Sequence, residues 1–311
     1  MAPENPPPYS VVDTNWMGRP KSIAAVLVQS DGINALIDPG PTSTVENLRA
    51  ELRLRGLSVE ELHAILLTHI HLDHAGATGS LVKENPRIDV FVHEFGAPRI
   101  ADPSKLVASA TRLYGAEMHR LYGPVLPVPE ENVRALAGGE TVSVGKRNFA
   151  VLSTPGHASH HVSFWDAEDG VAFVGDVGGI SVEGHEFVLP ATPPPDIDIE
   201  LWNQSLDAIL DLQPQKLFLT HFGYVHNPAR HIARYRGHLA RWSAMVNALL
   251  ESGKSEQAAG QEFVDAIAGE TRSAFPPAEA DHYIFNGGLF LSWLGLVRYV
   301  KKQKAKVQPA T

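Results

Sequence analysis

Three histidines and one aspartate stand within residues 69–74, in the run His-Ile-His-Leu-Asp-His. The run follows residues 64–67 (Ala-Ile-Leu-Leu), an apolar stretch typical of a short buried strand. A strand that ends in this way becomes a loop whose side chains converge on one point. Imidazole nitrogens and carboxylate oxygens suit Zn, Fe or Mn, and the chain has no Cys to supply a thiolate. The spacing therefore favours a metal site over a His-rich surface turn.

Charge and composition narrow the classes of partner. The chain has 311 residues and a formal net charge of −9, which argues against a protein built to bind nucleic acid or an anionic membrane. The N-terminus lacks the basic and apolar regions of a signal peptide. The longest apolar stretch, residues 284–300, contains polar interruptions and is short for a bilayer span, so we expect a buried helix there. These features predict a cytoplasmic protein, and they leave the oligomeric state open.

Three more polar residues follow apolar strands later in the chain. His157 ends the run Thr-Pro-Gly-His, Asp176 follows Phe-Val-Gly, and His221 follows Leu-Phe-Leu-Thr. Each of them is weak alone, since a single His or Asp at a strand end is common. Together with residues 69–74 they supply seven candidate ligands, five His and two Asp.

The order of apolar and helical patterns predicts the architecture. Two strand-rich halves, each followed by helices, are typical of two sheets between helical layers. We expect a tail over residues 1–19, a catalytic domain over 20–227, and a helical segment over 228–300 packed on that domain. A basic tail follows over 301–311. Residues 95–130 interrupt this succession of strands and helices with a helical insertion. The insertion is either a lid or pocket wall, or a spacer at the sheet edge.

The motifs, in this order, resemble those of the metallo-β-lactamase-fold superfamily of hydrolases, over roughly residues 20–225. The resemblance implies an α/β fold, the αββα sandwich, with two metal ions held by loops at one edge. By motif position, His69, His71 and His157 would hold the first ion. Asp73, His74 and His221 would hold the second, and Asp176 would bridge both. Asp38 matches a position that supports the ligand loop without being a ligand.

The ligand set is similar to that of glyoxalase-II-like thioesterases and of lactonases. It implies hydrolysis of a small acyl ester, lactone or thioester by a metal-bridging hydroxide, with Asp73 and Asp176 as the catalytic carboxylates. Two divalent ions are implied, with Zn expected and Fe or Mn as alternatives. Authentic β-lactamases commonly use a Cys ligand, which this chain lacks, so we expect antibiotic hydrolysis to be weak or absent.

Two other reactions of the same fold stay open. A phosphodiesterase or nuclease uses the same histidine loop, but the negative net charge and the lack of a basic arm disfavour it. A mononuclear iron dioxygenase dispenses with much of the second ligand set, which is intact here.

Four residues near the predicted ligands are candidate substrate contacts: His185, Phe187, Tyr224 and His226. Tyr224 would help to position the substrate carbonyl. The insertion, the loop at 178–198 and the C-terminal helices are expected to form an apolar wall, which suits a small-molecule acyl substrate.

Overall fold

The computed structural model describes residues 8–307. These residues fall into two units, one made of 8–153 and 160–175, the other of 154–159 and 176–307. Their strands belong to two six-stranded sheets, accompanied by helices that include a C-terminal set. The predicted mixed α/β class is therefore confirmed.

The first sheet lies wholly in the first unit, and its six strands are arranged in the order in which they occur along the chain. They are β1 (Tyr9–Asp13), β2 (Ala24–Ser30), β3 (Ile33–Ile37), β4 (Ala64–Leu66), β5 (Asp89–His93) and β6 (Val133–Leu136). Strands β1 to β3 are antiparallel, whereas β3 to β6 run parallel. Because the carboxyl ends of parallel strands meet at one edge, the residues after β3 and β4 are brought together there. That edge carries Asp38 and residues 69–74.

Four strands of the second sheet also belong to the first unit, and they form an antiparallel meander. They are β7 (Thr141–Val144), β8 (Arg147–Ser153), β9 (Val162–Asp166) and β10 (Val171–Phe173). The two sheets meet around Tyr9 of β1. Its ring lies 5.0 Å from that of Phe173, and its hydroxyl donates to the carboxylate of Asp166. Burial, followed by this hydrogen bond, raises the pKa of Tyr9 far above its ordinary value, so the hydroxyl keeps its proton.

Six helices belong to the first unit: α1 (Val45–Leu54), α2 (Leu72–Ala75), α3 (Thr78–Glu84), α4 (Ala97–Ala101), α5 (Ser104–Tyr114) and α6 (Met118–Tyr122). Helix α1 buries Leu48 and Leu52 at the spacing of one helical face, in the same core as Ile65 and Val90 of the first sheet. This packing fixes the sheet edge from which the histidine loop leaves. The insertion at 95–130 contains α4 to α6, as the sequence indicated.

The second unit contains the last strands and helices. They are α7 (Ile199–Asp211), β11 (Lys216–Leu219), β12 (Gly223–Val225), α8 (Pro228–Glu251), α9 (Glu256–Ala274), α10 (Pro277–Gly287) and α11 (Leu289–Val307). Strands β11 and β12 form an antiparallel hairpin. The C-terminal helices share a core in which the ring of Phe263 packs against Trp242 and Trp293. None of the helices in the described part of the chain is long and apolar enough to cross a membrane.

Several sequence predictions need correction. The segment 1–19 is not simply a tail, because β1 pairs with β2 along its whole length. Strands β1, β6 and β12 were not predicted. The helix expected near 283–300 is two helices, divided at Gly288, whose φ of 49° is in the left-handed region. The basic tail is helical as far as residue 307. Residues 1–7 and 308–311 lie outside the described residues, and the proposed domain boundaries stay a prediction.

Candidate metal site

Asp38 holds the start of the histidine loop in place. Its Oδ1 accepts a hydrogen bond from the backbone N–H of Thr68 at 2.8 Å, and its Oδ2 accepts from the Thr68 hydroxyl at 2.7 Å. The same carboxylate lies 2.8 Å from Nδ1 of His74. Asp38, Thr68 and His74 are buried. Because Nδ1 of His74 donates to the carboxylate, Nε2 is left as the nitrogen that can bind a metal.

The other side chains of residues 69–74 gather around His74. The ring of His69 lies 4.1 Å from the ring of His74 and 4.6 Å from that of His71, measured between centroids. Asp73 is a quarter exposed, and its Oδ2 lies 4.0 Å from Nε2 of His74. The first unit therefore collects three imidazoles and one carboxylate in one patch beyond the end of β4.

Two further histidines lie beside this patch. The ring of His161 stacks on His69 at 5.0 Å, and the ring of His160 meets that of His71 edge-on at 5.7 Å. Alternation along a strand predicts that His160 points away from the ligands. This prediction is wrong, because His160 lies in a turn before β9 begins, where strand alternation does not apply.

His157 is oriented by a tight turn in the second unit. Gly156 has a φ of 141°, and a Cβ at that position would lie 2.3 Å from the Cα of Trp202, so only glycine fits. The turn buries His157, whose Nδ1 donates to the carbonyl oxygen of Ala191 at 2.7 Å. As for His74, the bond at Nδ1 leaves Nε2 as the ligand atom.

Asp176 lies between two imidazoles of the second unit. Its Oδ2 is 3.5 Å from Nε2 of His157, and its Oδ1 is 3.5 Å from Nε2 of His221. All three residues are buried. Each oxygen of the carboxylate thus faces a different histidine, which is the arrangement that a bridging carboxylate requires.

Among the described residues, seven His and Asp side chains could serve as ligands of metal ions. The first unit contributes His69, His71, Asp73 and His74, and the second unit contributes His157, Asp176 and His221. The donors are imidazole nitrogens and carboxylate oxygens, a set that fits Zn, Fe or Mn and excludes metals that demand thiolates. Two of the histidines already have Nδ1 bonded to a carboxylate or a carbonyl, as metal-binding histidines usually do.

Three of the four predicted substrate contacts line one pocket of the second unit. This pocket has a volume of about 200 Å³, and His185, Tyr224 and His226 are in its walls. The ring of Tyr224 packs against Phe218, the residue opposite it on β11. Phe187 is not in the walls. Its ring instead meets those of Phe275 and Tyr283, in an aromatic cluster with the C-terminal helices.

The walls of this pocket also carry charged side chains. They include Arg230, Arg234 and Glu186 besides three histidines and the tyrosine. The apolar wall expected from the insertion, the loop at 178–198 and the C-terminal helices stays a prediction. Sequence reasoning missed the arginines because they stand in a helix with an ordinary amphipathic pattern, and only the fold brings the loop at 181–187 beside them.

Comparison with known proteins identifies the fold and its relatives. Residues 18–221 match the sequence profile of the Metallo-beta-lactamase superfamily. Hydroxyacylglutathione hydrolase of Legionella pneumophila is 27% identical over 145 residues, which is 47% of this chain and 42% of that protein. The metallo-beta-lactamase family protein TTHA1429 of Thermus thermophilus superposes with a TM-score of 0.67 at 24% identity, covering 97% of this chain and 96% of that one. The structure of TTHA1623 in a di-iron-bound form has a TM-score of 0.53 at 30% identity, over 68% of this chain and 93% of that one.

Proposed function

The chain belongs to the metallo-β-lactamase superfamily, and on that premise we propose that it is a dinuclear metal-dependent hydrolase of small acyl substrates. The substrate class comprises carboxylic esters, lactones and thioesters. The alternatives weighed from the sequence, a phosphodiesterase and a mononuclear dioxygenase, are decided by the experiment below.

The observation that carries this proposal is the position of Asp176. A carboxylate with one oxygen beside His157 and the other beside His221 can contact two ions, one through each oxygen, and this supports a dinuclear site. The number of candidate ligands, five His and two Asp, is enough for two ions and supports the same conclusion. We propose that His69, His71 and His157 hold one ion, that Asp73, His74 and His221 hold the other, and that Asp176 contacts both.

When bound, two such ions polarise a substrate carbonyl and lower the pKa of a bound water. We propose zinc as the metal, because its coordination by His and Asp is flexible and it has no redox chemistry. Iron is the alternative, supported by the di-iron form of the related protein TTHA1623.

We propose separate roles for the residues that surround the two ions. Asp38 and the carbonyl of Ala191 fix the rings of His74 and His157, so that each presents Nε2 to its ion. Asp73 has a quarter of its side chain open to solvent, so its ion is the one that we propose a substrate approaches from solution. We propose that Tyr224, in the wall of the neighbouring pocket, positions the substrate carbonyl.

The substrate class rests on the ligands and on a relative. The relative from Legionella pneumophila is named as a hydrolase of an acylated glutathione, which is an acyl substrate, although the match spans less than half of that protein. The net charge of −9 favours a small molecule over a nucleic acid or a membrane surface as the partner. We also propose a cytoplasmic location.

One experiment tests these points together. The protein is purified, its metals are quantified by mass spectrometry, and it is assayed on thioesters, lactones, aryl esters, β-lactams and phosphodiesters. The expected result is two ions per chain and turnover of acyl substrates. Efficient, salt-sensitive cleavage of phosphodiesters without acyl hydrolysis would favour the nuclease alternative. One iron per chain with no hydrolysis of any substrate would favour the dioxygenase.

A further inference from the structure

The pocket in the second unit has two arginines in its walls, although the protein is acidic. Its walls contain two guanidinium groups, those of Arg230 and Arg234, and a single carboxylate, that of Glu186. The chain as a whole has a formal net charge of −9. Three imidazoles, from His185, His226 and His231, are also in the walls; His185 lies 3.5 Å from the carboxylate of Glu279, and His226 lies 3.1 Å from that of Glu183.

The two arginines form ion pairs with the same carboxylate. Arg230 and Arg234 stand four residues apart on α8, so their side chains share one face of the helix. Glu186 lies between them, with Oε1 2.7 Å from Arg230 and Oε2 2.6 Å from Arg234. Each guanidinium has five N–H donors, so one carboxylate cannot satisfy both groups. Both arginines are exposed to solvent, at 55% and 39% of their side chains, and retain donors that another anion can use.

The pocket adjoins a candidate metal ligand of the same unit. Ser181 is in its wall, and the backbone N–H of Ser181 donates to the carbonyl oxygen of His221 at 2.7 Å. The N–H of Phe222 returns a bond to the carbonyl of Ser181 at 2.8 Å. Tyr224, three residues after His221, is also in the wall. A substrate that reacts beside His221 therefore has this pocket next to it.

We propose that the pocket binds a carboxylate at the far end of the acyl substrate, so that the preferred substrates are esters or thioesters of dicarboxylic acids. The planar fork of a guanidinium matches a carboxylate with two parallel hydrogen bonds. Glu186 takes this place when no substrate is present, and the carboxylate of the substrate displaces it. Hydrolysis of the acyl group rests on the proposed function, whereas binding of the carboxylate does not.

Calorimetric titration of the full-length, metal-loaded protein tests the binding. Glutarate is the probe, and glutaramide, which has the same length and no charge, is its neutral counterpart. Glutarate should bind and glutaramide should not. The variants Arg230→Gln and Arg234→Gln should each weaken glutarate about fivefold, the size expected for a half-exposed ion pair. Glu186→Gln should tighten it, because the competing carboxylate is gone.

Arg236→Gln is the matched control for this titration. Arg236 stands on the same helix but pairs with Asp207 of α7, and it is not in the pocket wall. Its variant should bind glutarate like the unmodified protein. Equal binding of glutaramide, or glutarate affinities that do not respond to either arginine or to Glu186, would overturn the proposal. Glutarate affinities that are unchanged in these variants would also show that glutarate binds only at the metal ions.

Turnover separates this proposal from the proposed function. The mono-p-nitrophenyl ester of glutaric acid is compared with p-nitrophenyl valerate, which has the same number of acyl carbons and no second carboxylate. The charged ester should have the lower KM, and Arg234→Gln should remove that advantage, whereas Arg236→Gln should keep it. Binding of glutarate with the expected variant pattern, but hydrolysis of neither ester, would leave the pocket standing and refute the hydrolase. Hydrolysis of both esters with a KM ratio unchanged in Arg234→Gln would refute the pocket alone.

Discussion

The buried carboxylate of Asp38 lies 2.8 Å from Nδ1 of His74 and also accepts two hydrogen bonds from Thr68. This one residue, at the end of β3, thereby sets both the backbone at the start of the histidine loop and the ring orientation near its end. It contributes no ligand atom in the proposed site, so its effect on a metal is indirect.

Replacing Asp38 by Asn should weaken metal binding about ten- to a hundredfold, as expected when the partner of a metal-binding histidine is changed. Asn has one acceptor oxygen where Asp38 has two, so it cannot accept both hydrogen bonds from Thr68 and the one from His74. It also lacks the negative charge of the carboxylate. Competition with a chromophoric chelator measures the affinity. Asp31→Asn is the control, because Asp31 is exposed in the turn between β2 and β3 and pairs with Lys146. Equal affinities in the two variants would refute the role assigned to Asp38.

Asp73→Ala should remove one of the two proposed ions and lower acyl hydrolysis by at least about tenfold. Changing a residue that only hydrogen-bonds to a metal ligand already has an effect of this size, and Asp73 is proposed to be a ligand itself. Metal content and turnover are measured on the same preparation. Asp89→Ala serves as the control, since Asp89 pairs with Arg134 on the sheet, away from residues 69–74. If Asp73→Ala kept both its metal content and near-full activity, the dinuclear site would be wrong as assigned.

The ligand loop could be predicted because its signal is local. His69, His71, Asp73 and His74 occur at short spacing after an apolar strand, and the parallel pairing of β3 with β4 brings Asp38 beside them. By contrast, the position of His160 beside His71 depends on a turn that ends before β9 starts. Alternation of side chains along a strand predicted the wrong direction for His160, because His160 precedes the first residue of β9.

The charged pocket could not be predicted for a different reason. Arg230 and Arg234 read as the solvent-facing side of a helix, and Glu186 stands more than forty residues earlier in the chain. Only tertiary structure joins them. The short strand β6 was missed because its two middle residues are exposed, which leaves no apolar run to recognise. In the helical part of the basic tail, Lys304 forms an ion pair with Glu251, which is distant in sequence.

Tyr283 of α10 anchors the loop that forms one wall of the pocket. Its hydroxyl accepts the backbone N–H of Val182 at 3.0 Å, and both residues are buried. Tyr283→Phe should lower the free energy of unfolding by about 1–3 kcal/mol, because a buried N–H loses its acceptor. Urea unfolding followed by circular dichroism measures the change.

Tyr299→Phe is the matched control for Tyr283→Phe. The hydroxyl of Tyr299 bonds to the carboxylate of Glu200, which is exposed and can be solvated by water once the hydroxyl is removed. Its variant should lose less stability. A larger loss in Tyr299→Phe than in Tyr283→Phe would contradict the anchoring of the loop by Tyr283.

His231 should make the protein less stable in mild acid. Its side chain is buried on α8 with Nε2 bonded to the carbonyl oxygen of Gly178 at 2.7 Å, and burial lowers its pKa below the ordinary value of 6.5. Between the folded pKa and 6.5, the unfolded chain binds the proton and the folded chain does not. The free energy of unfolding therefore falls as the pH drops through that window, by at most about 1.4 kcal/mol per pH unit for one proton.

His231→Gln removes the titrating group and keeps an N–H that can donate to Gly178. Urea unfolding at a series of pH values from neutrality down to mild acid, with metal present throughout, should show a shallower loss of stability in this variant. Since the histidines of the proposed metal site are common to both proteins, the difference in slope isolates His231. His119→Gln changes an exposed histidine on α6 and should keep the slope of the unmodified protein. Parallel slopes for His231→Gln and the unmodified protein would show that His231 does not govern this acid sensitivity.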